Sequence, residues 1–256
     1  MNLSRRCVAP WLGAFLALTA CSPPRPDHPI VGAKNFTEQV VLGELLAQEI
    51  EAKSSLKVER RFYLAGSYIA NQALIAGRID AYVEYTGTAL TAILKQPLDN
   101  DPDRVLATVQ SLYQQRYHVA AGPPLGFENT FAMVIRGDDA RRLSLTTLSQ
   151  ASPYTPQWKL GVGYEFEQRP DGLPGLSAAY GLKFAGPPRT MDLGLLYRAL
   201  QAHQVDMIAA NSTDGPIATR HSYCSRKKSC CHQTIPTDDS SASNEPTTAL
   251  SRRARA

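Results

Sequence analysis

ALIAGRIDAYVEY (73–85) and ALQAHQVDMIAAN (199–211) are two versions of one pattern. Ala73 matches Ala199, Leu74 matches Leu200, Ala76 matches Ala202 and Asp80 matches Asp206, while Ile79 faces Val205. In each, a helix end passes through a tight turn into an apolar strand. A small polar turn follows, Thr86-Gly87-Thr88 in one and Ser212-Thr213-Asp214-Gly215 in the other. The shared context argues for two related α/β lobes. The equivalent places of Asp80 and Asp206 indicate a common turn role for these carboxylates and argue against a paired acid site.

Apolar runs and helical patterns alternate on both sides of these stretches. Strands are expected at 30–33, 57–64, 79–83, 130–135, 159–162 and 205–209, with an extended segment at 119–121. Helices are expected at 36–53, 67–76, 101–116, 145–151, 173–180 and 193–202; the first carries apolar residues at 36, 40, 41, 45, 46 and 50, an amphipathic spacing. This order implies βαβ units and mostly parallel sheets. Gly122-Pro123-Pro124 and Gly126 divide the body into lobe 1 (29–125) and lobe 2 (126–220). Ligands in open parallel sheets bind beyond the carboxyl ends of strands, so both polar turns are expected to face one cleft. Lys34-Asn35-Phe36-Thr37-Glu38-Gln39 stands at such a strand end, where Asn35 and Glu38 have the spacing of a capping box and free helix N–H groups can hold an anion.

The ends differ from the body. MNLSRRCVAPWLGAFLALTAC has two arginines, an apolar run too short to span a bilayer, and small residues before Cys21. It is expected to be a signal peptide (1–21), and Leu18-Thr19-Ala20-Cys21 resembles a bacterial lipobox with Cys21 as the lipidated residue. Residues 22–28 follow as a Pro-rich tether. Residues 221–256 hold eleven Ser or Thr and few large apolar side chains, so they are expected to be a disordered tail, unrelated to the body as an out-of-frame reading would be. The adjacent Cys230 and Cys231, with Cys224 and His232, lack a second paired motif and make a poor tetrahedral metal set.

The formal charge of +4 comes from these ends: residues 22–220 carry 19 basic and 20 acidic side chains. The body therefore lacks the basic patch of a nucleic-acid binder. It also has no cysteine, so a fold in an oxidising compartment must be held by its core.

KNFTEQ (34–39), AGRIDAYVEYTGT (76–88), GFENTFAMVI (126–135) and NSTDG (211–215) together resemble motifs of the extracytoplasmic binding proteins that serve ABC importers of quaternary-amine osmoprotectants such as glycine betaine, choline and carnitine. The resemblance covers residues 28–220 in order. It implies an α/β fold of the type II periplasmic-binding-protein kind, with two βαβ lobes closing on a ligand and no cofactor. It also implies a monomer and a membrane permease as partner, and with the lipobox at Cys21 the expected location is periplasmic or extracytoplasmic, lipid-anchored to a bacterial membrane. A quaternary ammonium has no N–H to donate and is best held by ring faces. By resemblance, Tyr85 is one ring of an aromatic box, and Phe131 takes the place of a tyrosine. Gln39, Thr86, Gly87 and Thr88 meet the ligand's polar end. Asn211 replaces a further ring, and the segment carrying the last one is missing. The chain's return from lobe 2 to lobe 1 is expected to be missing too, which would leave a weak binder or a disabled remnant.

Two other readings arise from the residues. With the rings reduced, an amino acid or other small zwitterion is a possible ligand. A secreted hydrolase would need a nucleophile and base; His118 and His203 lie at a strand edge and a helix end without a triad context. Gly161-Val162-Gly163 is half of a dinucleotide fingerprint and lacks its third glycine.

Overall fold

Ile30, Val31, Gly32, Ala33 and Lys34 are all buried, as a strand covered on both faces requires, and they form β1 (Ile30–Lys34) at the centre of lobe 1. The computed structural model describes residues 26–218, 232–235 and 245–252. The expected signal peptide, Cys21 and the cysteines at 224, 230 and 231 lie outside the described residues.

Lobe 1 continues with α1 (Thr37–Lys53), β2 (Glu59–Leu64), α2 (Ser67–Ile75), β3 (Ala81–Tyr85), α3 (Thr86–Thr88), a π-helical turn at Ala89–Ile93, α4 (Pro102–Tyr117) and β4 (Val119–Asn129). Lobe 2 contains β5 (Phe131–Arg136), α5 (Gly137–Arg142), α6 (Leu148–Ala151), a 3-10 turn at Ser152–Gln157, β6 (Leu160–Val162), α7 (Tyr164–Gln168), α8 (Leu173–Tyr180), β7 (Arg189–Thr190), α9 (Leu193–Gln201), β8 (Met207–Asn211) and α10 (Gly215–Ala218). Two strands follow, β9 (His232–Ile235) and β10 (Glu245–Arg252).

The first sheet has the order β2-β1-β3-β10-β4 and the second β7-β6-β8-β5-β9. The expected parallel pairing holds within the βαβ units, where β1 lies between β2 and β3 and β6 lies between β7 and β8. Beyond them, β10 runs antiparallel to both β3 and β4, and β5 runs antiparallel to both β8 and β9. β5 arrives directly from lobe 1, and such a crossing strand enters against the direction of the βαβ strands.

β10 overturns two expectations. The segment expected to be disordered supplies two strands, and a strand returning to lobe 1 is present. The physical reason is that β3 and β4 each offer a row of backbone groups that needs a partner, and β10 satisfies both rows at once. Leu250 is fully buried with Tyr82 and Val119 in the lobe 1 core, and Thr248 Oγ1 donates to the Gly122 carbonyl at 2.6 Å.

The buried face of α1 also differs from its apolar stripe. Gln39, Gly43 and Ala47 face inward, while Val41 and Leu45 are exposed. Small residues let the helix lie close to the sheet: a Cβ on Gly43 would meet the Phe62 ring at 2.9 Å. The expected capping box is absent, because Phe36 is the N-cap residue and no side chain caps it. The Asn35 amide instead reaches Asp192 at 3.2 Å, and Glu38 serves Tyr85 and Asn129. Among the described residues no helix is long and apolar enough to cross a membrane.

Candidate functional site

A cavity of about 350 Å³ lies between the lobes, beyond the carboxyl ends of β1 and β3 on one side and against β5, α7 and β8 on the other. Tyr85, the last residue of β3, is a lobe 1 wall. Its ring is 5% exposed and stacks on Phe36, with centroids 6.3 Å apart and planes at 19°. The hydroxyl donates to the Glu38 carboxylate, which also accepts from the Asn129 amide at 3.0 Å. Burial, and then the Glu38 charge, pushes the Tyr85 hydroxyl far above its ordinary range, so the phenol stays protonated.

One face of this ring already holds a cation of the protein. Lys34 Nζ lies 4.6 Å from the Tyr85 centroid and 5.8 Å from that of Phe36. It donates to Glu84 Oε1 at 2.5 Å and to Ser67 Oγ at 3.0 Å, and both members of the Lys34–Glu84 pair are buried. Glu84 further accepts from the Tyr82 hydroxyl at 3.0 Å and from the Tyr85 N–H at 2.8 Å. A buried charge pair is tolerable only when its remaining valences are filled, as they are here.

Lobe 2 has a parallel arrangement. Phe131 meets Phe166 edge to face at 4.7 Å, and the Arg169 guanidinium lies 5.1 Å from the Phe131 centroid. Arg169 is held by Asp171, with Nε to Oδ1 at 2.9 Å and Nη2 to Oδ2 at 2.5 Å. Its Nη1 donates to Thr88 Oγ1 of lobe 1 at 2.6 Å. Asn35 with Asp192 and Ser67 with Glu165 also join the lobes. Gly66 is required for the second of these, because a Cβ there would lie 2.1 Å from Glu165 Oε1.

Of the residues expected at the site, Tyr85, Thr88, Phe131 and Asn211 border the cavity. Gln39, Thr86 and Gly87 lie outside its wall. Gln39 and Thr86 are buried, and neither the Gln39 amide nor Thr86 Oγ1 has a hydrogen-bond partner among the described residues. Sequence reasoning missed Phe36, Ser67, Tyr68, Tyr164, Glu165 and Arg169 as lining residues. Gly163 was the available signal: it is the N-cap of α7, and a Cβ there would meet Leu193 at 2.5 Å. Among the described residues, no group of three or more His, Cys, Asp or Glu could hold a metal. The arrangement can enclose a small ligand between π faces.

A family model described as the substrate-binding domain of ABC-type glycine betaine transport systems matches residues 30–221. The carnitine transport binding protein OpuCC of Listeria monocytogenes is 32% identical over 215 residues, covering 81% of this chain and 70% of that protein. An ergothioneine transport permease/ergothioneine binding protein of Helicobacter pylori is 31% identical over 189 residues, or 73% of this chain; the match spans only 34% of that protein's length. A crystal structure described as a glycine betaine/carnitine/choline ABC transporter superposes with a TM-score of 0.64 at 26% identity, covering 88% of this chain and 79% of that one.

Proposed function

The chain belongs to the family of substrate-binding domains of ABC-type glycine betaine transport systems, and on that premise we propose that it captures a quaternary-ammonium osmoprotectant outside the cytoplasm and delivers it to a membrane permease. The observation that carries this reading is the inter-lobe cavity with Tyr85 and Phe36 on one side and Phe131 and Phe166 on the other. Ring faces in a cleft attract a methylated ammonium, which has no N–H to offer a hydrogen-bond acceptor.

In this reading Tyr85 and Phe131 contact the ammonium group, and Thr88 and Asn211 meet the rest of the ligand. Gln39, Thr86 and Gly87 support Tyr85 from behind the wall. The protein acts as a monomer that binds and releases its ligand without turnover. Cys21 carries a lipid anchor that keeps it near its permease.

Calorimetric titration of the full chain with glycine betaine, choline and carnitine tests the reading. Saturable binding of at least one, at micromolar to low millimolar concentration, is the expected result. No heat from any of the three, with an amino acid binding instead, would replace it by the zwitterion reading.

A further inference from the structure

Among the described residues four charged side chains border the cavity, Lys34, Arg169, Glu165 and Asp192, and the two cations are already paired with carboxylates behind its wall. Lys34 and Arg169 are each neutralised at 2.5 Å, by Glu84 and Asp171. Glu165 and Asp192 also border the cavity, and among the described residues neither has a basic partner within 4.0 Å. Among the described residues the Glu165 carboxylate accepts only from Ser67, through its backbone N–H and through its hydroxyl at 3.0 Å. Two acceptor bonds hold the carboxylate in place.

Two exposed rings border the same cavity as this carboxylate. Tyr68 follows Ser67 at the start of α2 and is 63% exposed; Tyr164 precedes Glu165 at the start of α7 and is 65% exposed. Both border the same cavity from opposite lobes. An exposed tyrosine from each lobe and a fixed carboxylate lining one cavity can together receive a positive charge. A zwitterion would bring a carboxylate into a cavity whose two cations are already paired.

We infer that Glu165, with Tyr68 and Tyr164, determines specificity: the cleft prefers a net monocation, an ammonium with a hydroxyl or other neutral polar end, over a betaine-like zwitterion. The inference rests on the quaternary-amine reading above and fixes the charge class of the ligand.

The test uses the full chain and three probes: choline, glycine betaine and tetramethylammonium. The native protein is expected to bind choline about tenfold more tightly than glycine betaine, the scale of one imperfectly screened charge contact. Glu165→Gln keeps the shape and a Ser67 contact but removes the charge, and it is expected to bring the choline-to-betaine ratio to about one. A loss of lobe closure alone would weaken both ligands equally and leave the ratio unchanged. Tyr68→Leu and Tyr164→Leu alter exposed side chains and are expected to weaken choline and tetramethylammonium about two- to fivefold each. If Glu165→Gln fails to fold by circular dichroism, the choline-to-betaine ratio of the native protein and its change in Tyr68→Leu and Tyr164→Leu decide the inference. Betaine binding as well as choline in the native protein, or a ratio unmoved by loss of the charge, overturns this inference while leaving the quaternary-amine reading in place. Absence of binding by all three probes overturns both.

Discussion

Asp80 and Asp206 make the same pair of bonds in the two lobes. Asp80 Oδ2 accepts from the Ile30 N–H at 2.9 Å while the Asp80 N–H donates to the Ile30 carbonyl at 2.7 Å. Asp206 Oδ2 accepts from the Lys159 N–H at 2.9 Å while its own N–H donates to the Lys159 carbonyl at 2.8 Å. Each aspartate thus ties the turn into its strand to the start of the neighbouring parallel strand. The likeness continues through the turn: Arg78 and Ile79 both donate to the Ala73 carbonyl, and Gln204 and Val205 both donate to that of Ala199.

Gly77 and His203 occupy the same left-handed position in these turns, at φ 70° and φ 54°. A side chain there costs about 1 kcal/mol that glycine avoids. His203→Gly is therefore expected to raise the stability of the protein by about 1 kcal/mol, and Gly77→Ala to lower it by a similar amount. Urea unfolding midpoints of the two variants, moving in opposite directions, check this.

Removing one member of the buried Lys34–Glu84 pair strands the other. Lys34→Met is expected to destabilise the fold by about 3 kcal/mol or more, because Glu84 keeps only its Tyr82 and Tyr85 donors. A denaturant titration gives the loss directly. The double variant Lys34→Met/Glu84→Gln should recover part of it.

Tyr85 offers a ring and a hydroxyl, and the two separate by substitution. Tyr85→Ala is expected to weaken quaternary-ammonium binding at least tenfold, while Tyr85→Phe keeps the π face and loses only the bond to Glu38. Calorimetry on both variants would show the alanine change as the larger; equal losses would mean that the hydroxyl carries the binding.

The returning strand makes a stability prediction. Leu250 is fully buried in the lobe 1 core. Leu250→Ala should cost about 2–5 kcal/mol, and Leu250→Asp should abolish cooperative unfolding of lobe 1. A thermal melt unchanged by either substitution would show that β10 contributes nothing to the sheet.

Glu51 accepts from the Arg60 guanidinium at 2.6 Å and from the Val58 N–H at 2.9 Å, which lower its pKa from the ordinary 4.5 to about 2. A carboxyl depressed in the folded state contributes stability that is fully present above pH 4.5 and is lost as pH falls toward 2. Glu51→Gln should flatten the acid limb of stability in that window, measured by urea midpoints at successive pH values.

Hydrophobic periodicity and the internal repeat were enough to reveal two α/β lobes, because βαβ units are built from contacts between neighbours in the chain. The ring of Tyr85 and the strand end at Asn211 were legible for the same reason: strand ends are local features and their place in the fold follows from the sheet. The expected turn at 86–88 is instead the start of a helix, and residues 212–215 lie outside the cavity wall. Short α7 and the inward face of α1 were not legible, since the first spans Tyr164–Gln168 alone and the second is packed through buried Gln39, Gly43 and Ala47, with Leu46 and Ile50 only partly buried against the core.

The amino-acid sequence by itself determined the lobes, their order and one aromatic wall of the cleft. Only the tertiary structure decided what closes that cleft. Ser67 and Glu165 are 98 residues apart, Thr88 and Arg169 are 81 apart, and β10 enters between β3 and β4 from beyond lobe 2. Such pairings leave no periodic trace, because they depend on how two finished lobes meet and on which sheet edge still lacks a hydrogen-bonding partner.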